Sequence, residues 1–325
     1  MAASRSLLAR LWLPVAILSA AGFALWQPAA GLWLSSHRAV DIVVPVVMFL
    51  ISLRVPGSHL VDALRHPLTL LASLALVFGL YPPIALGWQA LFGPAGTDAQ
   101  AAMVILAAQP STLATAVVLT QIAGGNAALA VVCTAASQIL SVVATPWILQ
   151  LYVGHTVPVD AWALTVDLLR SVLLPVALGQ LVRLPFKAWI ERHSMVPSLI
   201  AESFVVVLAL IGFSTAHRLL SADPVLALAA LGTVAVIHAS MLVLSTLAGF
   251  VLRLDGAGRI AFTLASSQKT VAAGVLVWQV GFPGNALGPV FVVLHHLLQT
   301  VADSILAPLM PRIRMGKRRL FPLTS

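Results

Sequence analysis

Five consecutive polar residues, Ser266-Ser267-Gln268-Lys269-Thr270, interrupt an otherwise apolar stretch of this 325-residue chain. A lysine in the middle of such a stretch cannot carry its ammonium out to water. A charge held inside a membrane is costly, and it marks an ion path, a substrate site or a proton relay. The neighbouring hydroxyls and amide offer oxygens to a cation and donors to an anion. A second interruption, Pro110-Ser111-Thr112, lies in the first half. Pro110 has no N–H and bends a helix, while Ser111 and Thr112 can satisfy the backbone groups so freed or face a ligand. The two interruptions correspond. Pro110-Ser111-Thr112 is followed by Gly125-Asn126-Ala127, and Lys269-Thr270 by Pro283-Gly284-Asn285-Ala286. Ser111 to Asn126 and Thr270 to Asn285 are each 15 positions, and the two cassettes are offset by 159. Arg10 with Leu13-Pro14-Val15-Ala16 likewise returns as Arg170 with Leu174-Pro175-Val176-Ala177, offset by 160 or 161. Interrupted hydrophobic segments at matching places in two halves of a membrane chain point to the binding site of a secondary transporter.

Other residues could join this chemistry. Thr134, Ser137, Gln138 and Ser141 share one helix face just after the first interruption, as helix–helix hydrogen-bond donors or as ion ligands. Asn126 and Asn285, next to Gly125 and Gly284, read as turn and cap residues, with Asn126 near the site. Glu202 and Asp303 are acids inside apolar spans, and either is a candidate counter-charge for Lys269. Asp41 reads as interfacial, and Asp167 and Arg170 as a local pair. His238, His295 and His296 have no metal-ligand spacing and read as packed, neutral histidines. The single cysteine, Cys133, excludes an internal disulfide and a multi-cysteine metal cluster. No serine sits in a nucleophile elbow, so no enzyme is expected and no cofactor is implied beyond a coupling ion, Na+ or H+.

The elements that position these residues are membrane helices. The chain is 60% hydrophobic and 9% charged, with mean hydropathy +1.02, against roughly 25% charged residues in a soluble domain. Apolar stretches long enough to cross a bilayer recur throughout. Ten spans are expected, at 8–27, 38–54, 66–92, 98–122, 125–152, 162–183, 196–216, 224–252, 257–281 and 285–310. Segment 156–170 is the expected linker along the outer interface. The first apolar run resembles a signal peptide, but its Arg then Leu-Pro-Val-Ala pattern returns in mid-chain, so it is read as the first span. A pI near 11.0 does not imply nucleic acid, because the basic residues lie in short loops and the tail. Arg5, Arg10, Arg54, Arg65, Arg183, Lys187, Arg192, Arg253, Arg259, Arg312, Arg314, Lys317, Arg318 and Arg319 fall on one side, against Arg38 and Arg218 on the other. This bias places both termini in the cytoplasm of a plasma (inner) membrane. Five spans per half is an odd number, so the halves, 1–155 and 156–325, are inverted repeats. The expected fold is therefore an all-α polytopic membrane protein of about ten transmembrane helices, discontinuous at helices four and nine.

The runs Pro110-Ser111-Thr112 … Thr120 … Gly124-Gly125-Asn126-Ala127 … Thr145-Pro146 and Lys269-Thr270 … Gly274 … Phe282-Pro283-Gly284-Asn285 … His296-Leu297-Leu298-Gln299 … Asp303-Ser304 resemble the bile acid:sodium symporter family, and most closely its SBF-like branch. The resemblance implies a core domain beside a panel domain, with the two broken helices crossing in the core. It also implies sodium-binding positions, which fall here on Ala116, Val117, Ala130, Thr134, Leu264 and Gln268. Only Thr134 and Gln268 keep the expected residue, and a lysine has been added. Lys269 therefore either stands where sodium would sit or carries a proton.

The expected function is alternating-access transport of a small organic anion, with Ser111, Thr112, Gln268, Lys269 and Thr270 at the site and Thr134 and Asn126 nearby. Lys269→Met is expected to abolish transport and still fold. The rival readings are a sodium symporter with a relocated site, and a membrane sensor or accessory subunit that moves nothing itself.

Overall fold

The computed structural model describes residues 7–53, 67–193 and 195–310. Arg5, Arg54, Arg65 and the basic residues of the tail lie outside the described residues. Every regular element among the described residues is helical. In chain order these are α1 (Leu7–Trp26), α2 (Ala29–Ser36), α3 (Val40–Ser52), α4 (Pro67–Phe92), α5 (Thr97–Ala107), α6 (Leu113–Ile122), α7 (Ala127–Val153), α8 (Ala161–Arg192), α9 (Met195–Ala222), α10 (Pro224–Val251), α11 (Gly256–Ser267), α12 (Val271–Gly281) and α13 (Gly288–Leu306).

The protein is an all-α polytopic membrane protein. Taking α5 with α6, and α11 with α12, as broken spans, these helices follow the ten expected segments in order. By length and hydropathy alone seven qualify as crossing helices, or eight if α1 and α2, bent by 95°, form one span. The short α3, α5 and α6 do not qualify by themselves. Between the first two expected spans α2 folds after Pro28. One expectation needs correction. Segment 156–170 is not a linker throughout, since α8 begins at Ala161.

The helices sort into two groups. The first packs α1, α2 and α3 against α9, with α8 against α3. At Gly179 of α8 a Cβ would fall 2.7 Å from the backbone oxygen of Phe49, so only glycine permits this approach of α8 to α3. The second group comprises α4–α7 and α10–α13. At its centre the Gly256–Gly281 span is 100% buried over its apolar window, whereas every other qualifying span leaves a face exposed to lipid. A span with no lipid face is the place where irregular backbone can be tolerated inside a membrane.

How the helices begin differs with position. Asn126, Asp160, Asp223 and Asp255 each cap their helix, with a side-chain oxygen accepting the N–H of Leu129, Ala163, Leu226 and Gly258. The helices that restart at the two interruptions, α6 and α12, have no side-chain cap at all.

Candidate functional site

Both interruptions are true breaks. Between α5 and α6 the chain leaves the helix through Ala108–Thr112, and between α11 and α12 through Gln268–Thr270, which is extended at Gln268 and Thr270. The breaks touch: Thr270 N donates to Pro110 O at 3.0 Å. Each is also held by the helix that follows its span. Ser111 N donates to Ser137 Oγ, Gln138 Nε2 donates to Ser111 O at 2.9 Å, and Thr145 Oγ1 donates to Ala108 O. In the second break one side chain does both jobs: Gln299 Oε1 accepts Lys269 N at 2.8 Å and Gln299 Nε2 donates to Lys269 O at 2.7 Å. Buried backbone groups must find partners, and here polar side chains of α7 and α13 supply them. Ser137 and Gln138 are the polar stripe expected on α7. Gln299 was quoted in the sequence only within a family-like run. Its signal was available, because it lies 161 positions after Gln138, the offset that separates Leu13 from Leu174.

Lys269 is 1% exposed. Its Nζ donates to Val77 O, Ala107 O and Gln109 O, each at 2.7 Å. Ala107 and Gln109 stand at the C-terminal end of α5, where the helix dipole favours a cation. Val77 lies in a π-helical turn of α4, Ala75–Leu80, which leaves this carbonyl free to point at the ammonium. The Tyr81 ring lies 4.1 Å from Nζ, centroid to nitrogen, close enough for a cation–π contact. The lysine is therefore bound by neutral oxygens and an aromatic face.

This corrects the expected counter-charge. Asp303 accepts from Gln268 Nε2 at 2.6 Å and bonds His238 Nε2 at 2.9 Å. Glu202 accepts from Trp12 Nε1 and Ser198 Oγ. Neither carboxylate is the partner of Lys269, because three converging carbonyl dipoles already complete its shell. The histidines are correspondingly more than packing. Tyr81 Oη and His295 Nε2 lie 2.7 Å apart, and the His295 and His238 rings meet edge to face.

A sodium ion does not fit the residues the resemblance implied. Thr134 Oγ1 donates to Ala130 O and Val131 O of its own helix, Gln268 turns its amide nitrogen to Asp303, and the remaining positions carry hydrocarbon side chains. The three-carbonyl cage at the crossing holds an ammonium instead.

Other expected site residues divide cleanly. Thr112 and Thr270, the residues before α6 and α12, both line a cavity between the two helix groups, together with Gln138 of α7 and Ser52 and Gln180 of the first group. Ser111 is buried with its Oγ unpartnered among the described residues. It serves through its backbone. Asn126 is exposed; its side chain caps α7 and its backbone N–H donates to Ala257 O of α11 at 2.9 Å. Its counterpart Asn285 holds the turn after Pro283-Gly284, its Oδ1 accepting from Leu287 N and Gly288 N. Pro110 sits within the first break, whereas Gly125, Pro283 and Gly284 lie in turns beyond it. Asp41, expected at the interface, is ion-paired with Arg38 at 2.7 Å and also accepts from Gln279 of α12.

Comparison with known proteins identifies relatives over most of the chain. Residues 11–312 match the SBF-like CPA transporter family. The chain is 32% identical over 231 residues to a probable sodium/metabolite cotransporter of the chloroplast, BASS4, of Arabidopsis thaliana. That match covers 66% of this chain and 52% of the relative, so the chain spans about half the length of that protein. It is 27% identical over 275 residues to an uncharacterized protein of Pseudomonas aeruginosa, covering 82% of each. It is 24% identical over 224 residues to the mouse sodium/bile acid cotransporter 7, covering 66% of this chain and 65% of the relative.

Proposed function

Because this chain belongs to the SBF-like CPA transporter family, we propose that it is a secondary transporter carrying a small organic anion by alternating access between its two helix groups, and that Lys269 permanently takes the place of a coupling sodium ion. One observation carries the anion: the uncapped N-termini of α6 and α12 face a single cavity through Thr112 and Thr270. Free N–H groups at a helix start, with the dipole behind them, bind negative charge. Two such ends in one cavity, backed by a buried ammonium, favour an anion over a cation. Ser52 and Gln180 from the opposite wall offer polar contacts that are made or broken as the groups move. The inverted arrangement of the halves, with both termini cytoplasmic in the inner membrane, completes the reading.

The test begins with a thermal-shift screen of the purified protein against mono- and dicarboxylates, sulfonates and conjugated steroids. Labelled members of this panel are then offered to proteoliposomes with and without a sodium gradient. We expect saturable uptake that is indifferent to sodium. Sodium-driven uptake would favour a symporter with a relocated ion site, the reading that the names of the relatives support. Binding without any flux would favour a sensor or accessory subunit.

A further inference from the structure

The transport reading uses the cavity and Lys269, but it leaves a group of buried titratable side chains unexplained. Asp303 of α13 is 0% exposed and His238 of α10 is 2% exposed. They lie 2.9 Å apart, with Gln268 Nε2 on the other carboxylate oxygen at 2.6 Å. His295 stands edge-on to His238, and Tyr81 bonds His295. His296 Nδ1 lies 3.1 Å from Gln299, the residue that clamps Lys269. The second nitrogens of all three histidines are buried without a partner among the described residues. The titratable groups facing the pair are thus Tyr81 from α4, Lys269 from the second break, and His295 and His296 from α13 itself. Among the described residues, other charges on the helices packed against the pair are held elsewhere: Asp98 sits in the first turn of α5, Glu202 of α9 is held by Trp12 and Ser198, and Arg259 of α11 stacks over the Phe250 ring.

We propose that the Asp303–His238 pair is a binding site for one proton, and that this proton is the coupling ion. The proposal rests on the transport reading only in its second half. The geometry of the buried pair supports the first half, and the charge balance supports the second. With the histidines neutral, one carboxylate and one ammonium leave the core without net charge, and an added proton leaves one positive charge that a bound anion offsets. Histidine is the side chain that most readily adds a proton near neutral pH, and here it can do so against a carboxylate without leaving either charge unpaired. The proton gained becomes an imidazolium–carboxylate pair, and the proton lost leaves a neutral imidazole donating to the carboxylate. Gln268 links that change to the break, since its side chain holds Asp303 while its backbone leads directly into Lys269. Thr300 lies one turn before Asp303 and Ser304 directly after it. Both line a cavity with Thr115 and Glu202, which gives a polar approach to this part of α13.

The proton site is tested without any substrate, by pH-difference infrared spectroscopy of the protein in lipid films between about pH 4 and pH 10. We expect one coupled imidazole–carboxylate difference signal in the unmodified protein, lost in Asp303→Asn and in His238→Gln and retained in His37→Gln, a change at an exposed histidine. No such signal in the unmodified protein overturns the proposal even if a variant fails to fold, and so does a signal that survives both core substitutions. The coupling is tested in proteoliposomes containing the pH dye pyranine. An inward gradient of any panel anion that the unmodified protein transports should acidify the lumen, and Asp303→Asn should abolish that acidification. An infrared signal with no flux of any panel anion removes the transport reading and the coupling with it, and leaves the proton site standing. Flux without acidification removes the coupling alone.

Discussion

The two breaks are built alike and used differently. The first is neutral: its backbone is satisfied by Ser137, Gln138 and Thr145, three side chains of α7. The second carries a cation, is satisfied by the single Gln299 of α13, and reaches back to bind the carbonyls of the first. The second break thereby satisfies three carbonyls at the first, Ala107 and Gln109 through Lys269 Nζ and Pro110 through Thr270 N. The N-terminal ends of α6 and α12 stay open to the cavity, while the C-terminal end of α5 is sealed by the ammonium. The crossing thus holds a tethered cation on its carbonyls, beside two helix starts without side-chain caps.

This asymmetry can be broken in steps. Lys269→Met should have the largest effect, because it strands three buried carbonyls at about 1–3 kcal/mol each. We expect a large fall in melting temperature by detergent thermal unfolding as well as loss of uptake. This revises the expectation that the variant folds normally, which took the lysine as a ligand and not as the bolt between two half-helices. Gln299→Leu should come next, since it removes both bonds to the Lys269 backbone, about 2–5 kcal/mol in all. Gln138→Leu removes one bond of the first break, so about 1–3 kcal/mol, with Ser137 and Thr145 still in place. Equal losses from the two glutamine substitutions would show that the breaks are not held as differently as the geometry says. Asn126→Ala should cost about 1 kcal/mol through the lost cap and leave transport intact, which sets it apart from the site. Thr112→Ala and Thr270→Ala should change stability least, within about 0.5 kcal/mol, because neither hydroxyl caps its helix. Both should nevertheless raise the half-saturation concentration of a transported anion, read as KM in the uptake assay.

Much of this was legible in the chain. Pro14, Pro45 and Pro146 lie inside continuous helices, so a proline alone does not mark a break; Pro110 and the run Ser266–Thr270 were picked out because they stand at corresponding places in the two halves. The helix limits followed from hydropathy, which a bilayer imposes along the chain. The role of Asn126 as a cap followed from its place before an apolar run. The partner of Lys269 was not legible. Sequence reasoning looked for a carboxylate and weighed Glu202 and Asp303, whereas the ammonium is bound by backbone oxygens, which every residue carries and which leave no mark in residue identity. Val77 was hidden for the same reason. The histidines were read as inert because no spacing within one helix links His238 to Asp303. Their contact joins α10 to α13, 65 positions apart.

The amino-acid sequence by itself determined that the protein is a chain of membrane helices interrupted twice at corresponding places, because burial in lipid is a local property of residue type and the correspondence of the two halves is written in residue order. The tertiary structure alone decided which groups meet at those interruptions: a lysine on three carbonyls, a glutamine on each broken backbone, two free helix starts in one cavity, and a carboxylate on a histidine. Those contacts depend on how separate helices pack, and the carbonyls and N–H groups that make most of them are the same at every position in the chain.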